Sequence, residues 1–185
     1  MPRMSKQPPP QEEQWPERAI FAVGHSTLPI GKFITVLHTY GIECIADIRT
    51  VPRSRHNPQF NGDALAGALR PEHIEYVPLP ALGGLRHTRK DSMNTGWRNT
   101  SFRGYADYMQ TEAFAEGLRT LIHMSRQKRT AIMCAEGVPW RCHRSLVADA
   151  FTVRGIALND ATILPYDANP GRMEFSERTG FGCSA

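Results

Sequence analysis

Short apolar runs alternate with stretches of helical periodicity, and this alternation limits the possible folds more than any other feature of the sequence. Residues 19–23 form an apolar run closed by Gly24, residues 33–40 carry apolar side chains at helical spacing, and residues 42–48 form a second, mostly apolar run. Continuous runs of this length are typical of strands that are buried on both faces. The order strand, helix, strand predicts a parallel pair joined by a right-handed crossover.

The same pattern continues through most of the chain. Further strands are predicted at 74–79, 130–134 and 161–164. Asn61 and Thr111 can cap the helices that follow them, and another helix is predicted over 143–154. This order of elements predicts an α/β fold in which helices cover both faces of one open, mostly parallel sheet, as in Rossmann-like domains.

The length and composition are those of one globular domain. The chain has 185 residues, of which 41% are hydrophobic and 22% charged. We place a single domain at 19–167, between a disordered tail at 1–18 and a loosely ordered tail at 168–185. The first tail lacks the apolar centre of a secretory signal, and no apolar segment is long enough to span a bilayer. Because four cysteines do not form a disulfide framework in such a chain, we expect a cytoplasmic protein with no membrane partner.

The charge favours an anionic partner. A formal net charge of +4 suits an anionic small molecule or a nucleic acid, although a basic surface that serves solubility explains the charge equally well. Neither a dinucleotide-binding fingerprint nor a Walker loop is present, so we expect no such cofactor.

Polar side chains follow three of the predicted strands at the point where each strand ends. These clusters are Gly24-His25-Ser26, Asp47-Ile48-Arg49 and Cys134-Ala135-Glu136. Ligands of open parallel sheets bind beyond the carboxyl ends of the strands. The sequence therefore predicts that the three clusters converge on one polar, cationic site.

The first two clusters combine possible catalytic groups with possible structural ones. His25 can shuttle protons near neutral pH, or a backbone carbonyl can satisfy it. Ser26 can contact a substrate or cap the next helix. Asp47 lies in an apolar strand and needs a partner; Arg49 is the candidate, in a catalytic pair or in a structural one. Arg49, Arg53 and Arg55 alternate along the chain, so in an extended backbone all three could face one way, and planar guanidinium groups suit the recognition of phosphate or carboxylate.

The third cluster permits several kinds of chemistry. Glu136, at a strand end, can act as an acid or base if its pKa is raised. His143 and Arg144 fall in the first turn of a helix, where main-chain N–H groups favour an anion. Cys134 is a candidate nucleophile of the phosphatase or rhodanese kind, although six residues separate it from Arg141 and the glycine-rich cradle of those enzymes is missing.

Two other interpretations of the third cluster remain open. Cys134, Cys142 and His143 could hold zinc, although two adjacent residues on a helix do not easily present ligands to one metal. Alternatively, the segment is an ion-paired connection between strand and helix whose cysteines are structural.

A long stretch without periodicity, residues 80–103, follows the third predicted strand. Loops of this length are often functional lids. We expect it to close over the cleft, with Tyr105 or Tyr108 offering a stacking face to a base.

Taken together, these segments resemble the DUF488 family of small bacterial and archaeal proteins. The resemblance covers roughly residues 20–164. It is carried by Gly24-His25-Ser26, Asp47-Ile48-Arg49 with Pro52 and Ser54, Leu82-Gly83-Gly84, Tyr105-Ala106-Asp107-Tyr108-Met109, and Cys134-Ala135-Glu136 with Cys142-His143-Arg144. It implies an α/β fold with these residues gathered around a cleft, and it implies no particular reaction.

We therefore predict a hydrolase that acts on a glycosidic or phosphoester bond of a phosphate-bearing substrate such as a nucleotide or nucleic acid. The predicted catalytic residues are Glu136, Asp47, His25 and Cys134. The predicted anion-binding residues are Ser26, Arg49, Ser54, Arg55, Tyr105, His143 and Arg144. One alternative is a nucleic-acid-binding or regulatory module without catalysis, and another is a metal-dependent enzyme that uses Cys134, Cys142 and His143.

Overall fold

Five parallel strands form one sheet in the computed structural model, which describes residues 20–154 and 158–159. The strands are β1 (Ile20–Gly24), β2 (Cys44–Asp47), β3 (Glu75–Pro78), β4 (Thr130–Cys134) and β5 (Leu158–Asn159). They lie in the order β3-β2-β4-β1-β5, and each described pair is parallel. β4 is thus flanked by β1 and β2, with Gly24 opposite Cys134 and Asp47 opposite Met133. The predicted polar clusters of these strands therefore end at the same edge.

Within the part of the chain that the structure describes, five α-helices connect the strands. They are α1 (Ile30–Thr39), α2 (Gly62–Leu69), α3 (Thr100–Tyr108), α4 (Glu112–Gln127) and α5 (Arg144–Thr152). Local chemistry fixes several of their ends. Gly41 follows α1 with a φ of 59°, a left-handed conformation that glycine adopts without strain. Thr111 caps α4 by accepting a hydrogen bond from the Phe114 N–H at 3.3 Å, as predicted.

The two faces of the sheet carry separate hydrophobic cores, because successive side chains of a strand point to opposite sides. On one face, Phe21 and Ile45 pack with Phe33 of α1 and Leu65 of α2. On the other, side chains of β1, β2 and β4 pack against the remaining three helices. That core includes Ile20, Ile48, Ile132, Tyr105, Phe114, Leu118 and Val147. The predicted fold is confirmed: a single Rossmann-like α/β domain with helices on both faces.

Two predicted details differ from the structure. Asn61 precedes α2 but does not cap it, because its side-chain oxygen instead accepts a hydrogen bond from the Ser54 N–H at 2.7 Å. The last described helix begins at Arg144 and ends at Thr152, two residues before the predicted end at 154. The predicted strand at 161–164 and both tails lie outside the described residues, so the boundaries 19 and 167 stay predictions.

The stretch 80–103 is irregular between a short 3-10 turn, Pro80–Leu82, and the start of α3 at Thr100. It is nevertheless tied to α3 by Asp107, which is 3% exposed. The carboxylate of Asp107 accepts hydrogen bonds from the Arg89 N–H, the Ser92 hydroxyl and the Asn94 amide. This segment, residues 83–99, is hereafter called the long loop.

None of the described helices combines the length and the apolar character that crossing a membrane requires.

Candidate functional site

A cleft of about 530 Å³ opens at the carboxyl edge of the sheet. Its walls come from the ends of β1 and β4, the turn before α5, the beginning of the long loop and the first turns of α3. Of the predicted site residues, His25, Ser26, Ser54, Tyr105, Cys134, Glu136 and His143 line it. Residues of the first and third clusters thus share one cleft. Asp47 and Arg49 of the second cluster do not line it, and Arg49 is linked to it only by its contact with His25.

Asp47 and Arg49 form a buried ion pair at the end of β2. Asp47 is 1% exposed and Arg49 7%. The carboxylate accepts hydrogen bonds from Arg49 Nε at 2.8 Å, from the Arg49 N–H at 3.0 Å and from the Tyr76 hydroxyl at 2.7 Å. Arg49 Nη2 also donates to the carbonyl oxygen of Phe60. The two charged groups thus form their hydrogen bonds with each other and with neighbouring protein groups. This arrangement corresponds to the structural interpretation of the pair.

His25 is held in one tautomer. Its Nε2 lies 3.2 Å from Arg49 Nη1, and Nδ1 lies 2.9 Å from the carbonyl oxygen of Ser26. Because a guanidinium can only donate, Nε2 accepts and the Nδ1–H donates. The ring also stacks on Phe60 at 4.1 Å between centroids. Burial lowers the pKa of His25 to about 4, so the ring is neutral near neutral pH.

Arg144, predicted to bind an anion, instead holds the backbone beside β4. Its Nη1 donates to the carbonyl oxygens of Val23 at 2.8 Å and Glu136 at 3.0 Å. The chain passes so close here that a Cβ on Gly24 would collide with the Glu136 carbonyl oxygen. Arg144 is 2% exposed, and among the described residues it has no carboxylate partner and its Nε has no hydrogen-bond partner. A buried positive charge is therefore left beside the cleft wall.

The side chains of Cys134, Cys142 and His143 converge. One ligand atom from each lies within 4.8 Å of the other two, and Cys142 Sγ is 3.7 Å from His143 Nδ1. The sequence analysis placed Cys142 and His143 on a helix, from which two adjacent side chains do not easily reach one metal. In the structure both residues precede α5, which begins at Arg144, and follow a short 3-10 turn, Pro139–Arg141.

The tautomer of His143 follows from the hydrogen bond that its Nε2 makes with a main-chain carbonyl. Its Nε2 lies 3.2 Å from the carbonyl oxygen of Ile48, so Nε2–H donates and Nδ1 presents its lone pair to Cys142. Gly84 packs against this ring so closely that a Cβ there would lie 2.9 Å from Nδ1. Burial lowers the pKa of His143 to about 4, which keeps the ring neutral.

The two thiols have opposite acidities. The hydrogen bond donated by Cys142 lowers the pKa of Cys134 to about 7, and the N–H groups of Glu136 and Ala135 and the charge of Arg144 act in the same direction. The same hydrogen bond, together with burial, strongly raises the pKa of Cys142. Cys134 is consequently the more acidic of the two thiols, and it lies at the wall of the cleft.

Two exposed charged groups complete this wall. One carboxylate oxygen of Glu136 accepts a hydrogen bond from the Val138 N–H at 3.0 Å, and the side chain faces the cleft. Arg141 also lines the cleft, is exposed, and makes no ion pair within the described residues. Sequence reasoning considered Arg141 only for its spacing from Cys134 and did not assign it to the site.

Other predicted residues are placed differently. Arg55 is exposed and is absent from the cleft lining. Tyr105 is 1% exposed and its hydroxyl donates to the Leu82 carbonyl oxygen, while the Tyr108 ring is covered by Arg86 at 3.6 Å. The two tyrosines are therefore packed into the fold and do not offer a stacking face.

Apolar groups at the cleft went unrecognised in the sequence. Phe102 and Leu85 both line it, and Leu85 is 81% exposed. Leu85 also has a φ of 54°, a costly conformation for a leucine that is found preferentially at functional sites. No periodic pattern marks an irregular loop, so the sequence carried no signal for this position.

Residues 29–151 match the sequence model of a family described as Domain of unknown function DUF488. The match spans about two thirds of the 185 residues. The chain belongs to the DUF488 family. Within this DUF488 protein the matched range includes the ends of β2 and β4 and the start of α5, whereas His25 and Ser26 precede it. A search of curated proteins and one of solved structures found no match.

Proposed function

We propose that this DUF488 protein is a hydrolase of phosphate-bearing substrates in which Cys134 is the nucleophile. The observation that carries this proposal is the environment of Cys134 at the end of β4. The thiol faces the cleft, receives hydrogen bonds that favour the thiolate, and lies near the buried charge of Arg144. Reactive cysteines are found in such electropositive, partly accessible surroundings, whereas structural ones are not.

Arg141 supports an anionic substrate. Its exposed guanidinium lies at the cleft and is not neutralised by any described carboxylate. A planar guanidinium matches the geometry of a phosphate. Ser26 and Ser54 also line the cleft and offer hydroxyl groups. Leu85 and Phe102 form an apolar side, which suits a substrate with an organic group next to its phosphate, such as a nucleotide.

The proposed reaction has two steps. The Cys134 thiolate attacks phosphorus, the phosphoester bond breaks, and the leaving oxygen takes a proton from solvent. Water then attacks the phosphocysteine while the Glu136 carboxylate takes its proton and passes it to solvent, and the S–P bond breaks to release phosphate and the Cys134 thiolate. In this scheme Asp47, Arg49, His25 and Arg144 are positioning residues, since their polar atoms bond to protein groups.

The test is the release of inorganic phosphate from a panel of nucleoside monophosphates and other phosphomonoesters. Cys134→Ser should reduce turnover by roughly a thousandfold or more. Glu136→Gln should reduce it by roughly a hundredfold, and Arg141→Ala should mainly raise KM. Cys44→Ser is the matched control because Cys44 is buried at the other edge of the sheet. Full activity in Cys134→Ser would rule out the assignment.

A metal-dependent enzyme is a second candidate, because three zinc-type ligand atoms lie within 4.8 Å of one another. Two further contacts are typical of zinc sites: His143 Nε2–H donates to a main-chain carbonyl, and the Arg144 N–H donates to Cys142 Sγ at 3.4 Å. With three protein ligands, a fourth position would face the cleft. Elemental analysis of protein purified without added metal tests this. Stoichiometric zinc that is lost in His143→Ala but kept in Cys44→Ser would favour the metal.

A nucleic-acid-binding or regulatory module without catalysis is the alternative from another class. Its supporting feature is that Arg53 and Arg55 are exposed. Such a module should bind nucleic acid with an affinity that falls with salt, and Arg55→Ala should give weaker binding with a shallower salt slope. Binding of this kind, with no turnover of any phosphoester by the natural protein, would favour the module.

A further inference from the structure

We propose that Cys134 and Cys142 are a redox-active pair, in which a small hydroperoxide oxidises Cys134 and Cys142 then closes a reversible disulfide. The proposal rests on the nucleophilic role proposed above for Cys134 and adds a reaction that phosphoester hydrolysis does not use. It assigns to Cys142 the role of a resolving thiol.

The positions of the two thiols support this assignment. Their Sγ atoms lie within 4.8 Å of one another, although seven residues intervene in the sequence. Both side chains line the cleft, with Cys134 8% and Cys142 4% exposed. A small solute can thus reach Cys134 from the cleft, and Cys142 lies beside Cys134.

His143 holds the Cys142 side chain beside Cys134. Its Nδ1 lies 3.7 Å from Cys142 Sγ, and the hydrogen bond from Nε2–H to the Ile48 carbonyl oxygen fixes the ring in place. The Arg144 N–H also donates a hydrogen bond to Cys142 Sγ at 3.4 Å. Contacts that do not involve Cys134 therefore keep the second thiol within reach of the first.

The chemistry balances as follows. The Cys134 thiolate attacks the terminal oxygen of the hydroperoxide, the O–O bond breaks, and Cys134 becomes a sulfenic acid. The leaving oxygen takes a proton from solvent and departs as an alcohol or as water. The Cys142 thiol then attacks the sulfenic sulfur, the S–O bond breaks, and the leaving hydroxide takes the Cys142 proton, so that water leaves as the disulfide forms. One hydroperoxide is reduced and two thiols are oxidised.

Cys44 provides a contrast within the same chain. It is buried at the start of β2, opposite Glu75 and Thr130 and away from the carboxyl edge. Burial raises its pKa to about 11. Among the described cysteines, only Cys134 and Cys142 belong to a cluster that contains a second thiol. Cys44 is accordingly expected to resist oxidation.

The experiment uses the full chain carrying Cys44→Ser and Cys183→Ser, so that the pair supplies its only thiols. The protein is treated with a chelator, reduced, and exposed to stoichiometric hydrogen peroxide. Intact-mass and peptide mass spectrometry should show loss of two hydrogens and a disulfide between Cys134 and Cys142, which dithiothreitol reverses. Adding Cys142→Ala should stop the reaction at a Cys134 sulfenic acid that dimedone traps.

The outcomes separate this proposal from the proposed hydrolase. If Cys134 reacts with peroxide but no disulfide to Cys142 forms, the redox pair is overturned and the nucleophile assignment stands. If Cys134 reacts neither with peroxide nor with iodoacetamide in folded protein, both proposals fail. His143→Ala should slow disulfide formation without slowing the dimedone-trapped step, and equal rates in both proteins would remove His143 from the scheme.

Discussion

At the scale of single residues, Cys134 differs from an ordinary buried cysteine through its neighbours. Cys142 donates a hydrogen bond to it, main-chain N–H groups of the following residues point at it, and Arg144 adds a positive charge. Each of these favours the thiolate, and together they outweigh the burial that opposes it. The protein therefore favours a negative charge on a sulfur at the cleft wall, near the buried positive charge of Arg144.

A pH profile of alkylation tests this balance. In the natural protein, the rate at which iodoacetamide modifies Cys134 should fall as the pH drops through about 7, because only the thiolate reacts. Cys142→Ala should move the midpoint upward toward the ordinary value for a cysteine, since the donated hydrogen bond is lost. Cys142→Ser keeps a donor and should move it less. Mass spectrometry of the Cys134 peptide measures the rate, and identical midpoints in all three proteins would contradict the account.

The pair of Asp47 and Arg49 shows what the sequence alone can predict about single residues. The sequence predicted that Asp47 needs a partner and named Arg49, and burial arguments alone suffice for that. The sequence could not decide what the pair does, because Tyr76 and Phe60, which complete its hydrogen bonds, lie on other elements. Whether Arg141 faces the cleft depends likewise on the turn before α5, for which no pattern exists.

At the scale of elements, one buried carboxylate holds the middle of the long loop. Asp107 is on α3, and it accepts three hydrogen bonds from residues 89–94. Leu85 and Gly84, at the start of the same loop, line the cleft. Other contacts hold the two ends, among them the hydrogen bonds from Arg103 to the carbonyl oxygens of residues 95 and 97. A segment predicted as a lid is thus anchored at its middle by Asp107.

Asp107→Ala should loosen the middle of the long loop. Trypsin should then cleave much faster at the exposed Arg89, Lys90 and Arg98, because local opening no longer has to break the three hydrogen bonds. Asp91→Ala is the control, since Asp91 pairs only with the exposed Arg89. Timed digestion followed by mass spectrometry measures the cleavage. Equal digestion of both variants would show that Asp107 does not hold the loop.

Elements with strong periodicity were predicted well. β4 lies at the predicted residues 130–134, and α1 covers most of the predicted helical stretch. The cap of α2 was wrong because Asn61 has a competing donor, the Ser54 N–H, which becomes its neighbour only in the folded chain. Side-chain caps are local signals, and tertiary contacts can redirect them.

At the scale of the whole molecule, two buried neutral histidines make the free energy of unfolding depend on pH. His25 and His143 both have a pKa of about 4 in the folded protein, whereas the ordinary value is 6.5. Between these values the unfolded chain binds more protons than the folded one. Stability is therefore full above about pH 6.5 and is lost as the pH falls toward 4, by at most roughly 1.4 kcal/mol per pH unit for each histidine.

Urea unfolding measured at several pH values tests this linkage. The free energy of unfolding of the natural protein should decline between about pH 6.5 and 4. His143→Gln should show a shallower decline, while His123→Gln, which alters an exposed histidine on α4, should follow the natural protein. Parallel curves for all three proteins would contradict a role for His143.

The position of β4 between β1 and β2 has a consequence for biosynthesis. β1 and β2 make no hydrogen bonds with each other in the described sheet, since β4 separates them. A nascent chain that has left the ribosome only as far as α4 therefore contains β1 on one side and β2 with β3 on the other, but lacks the strand that lies between them. These two parts are the flanks of the sheet. Thr130–Cys134 joins those flanks, and the strand that fills the gap between them also carries the proposed nucleophile.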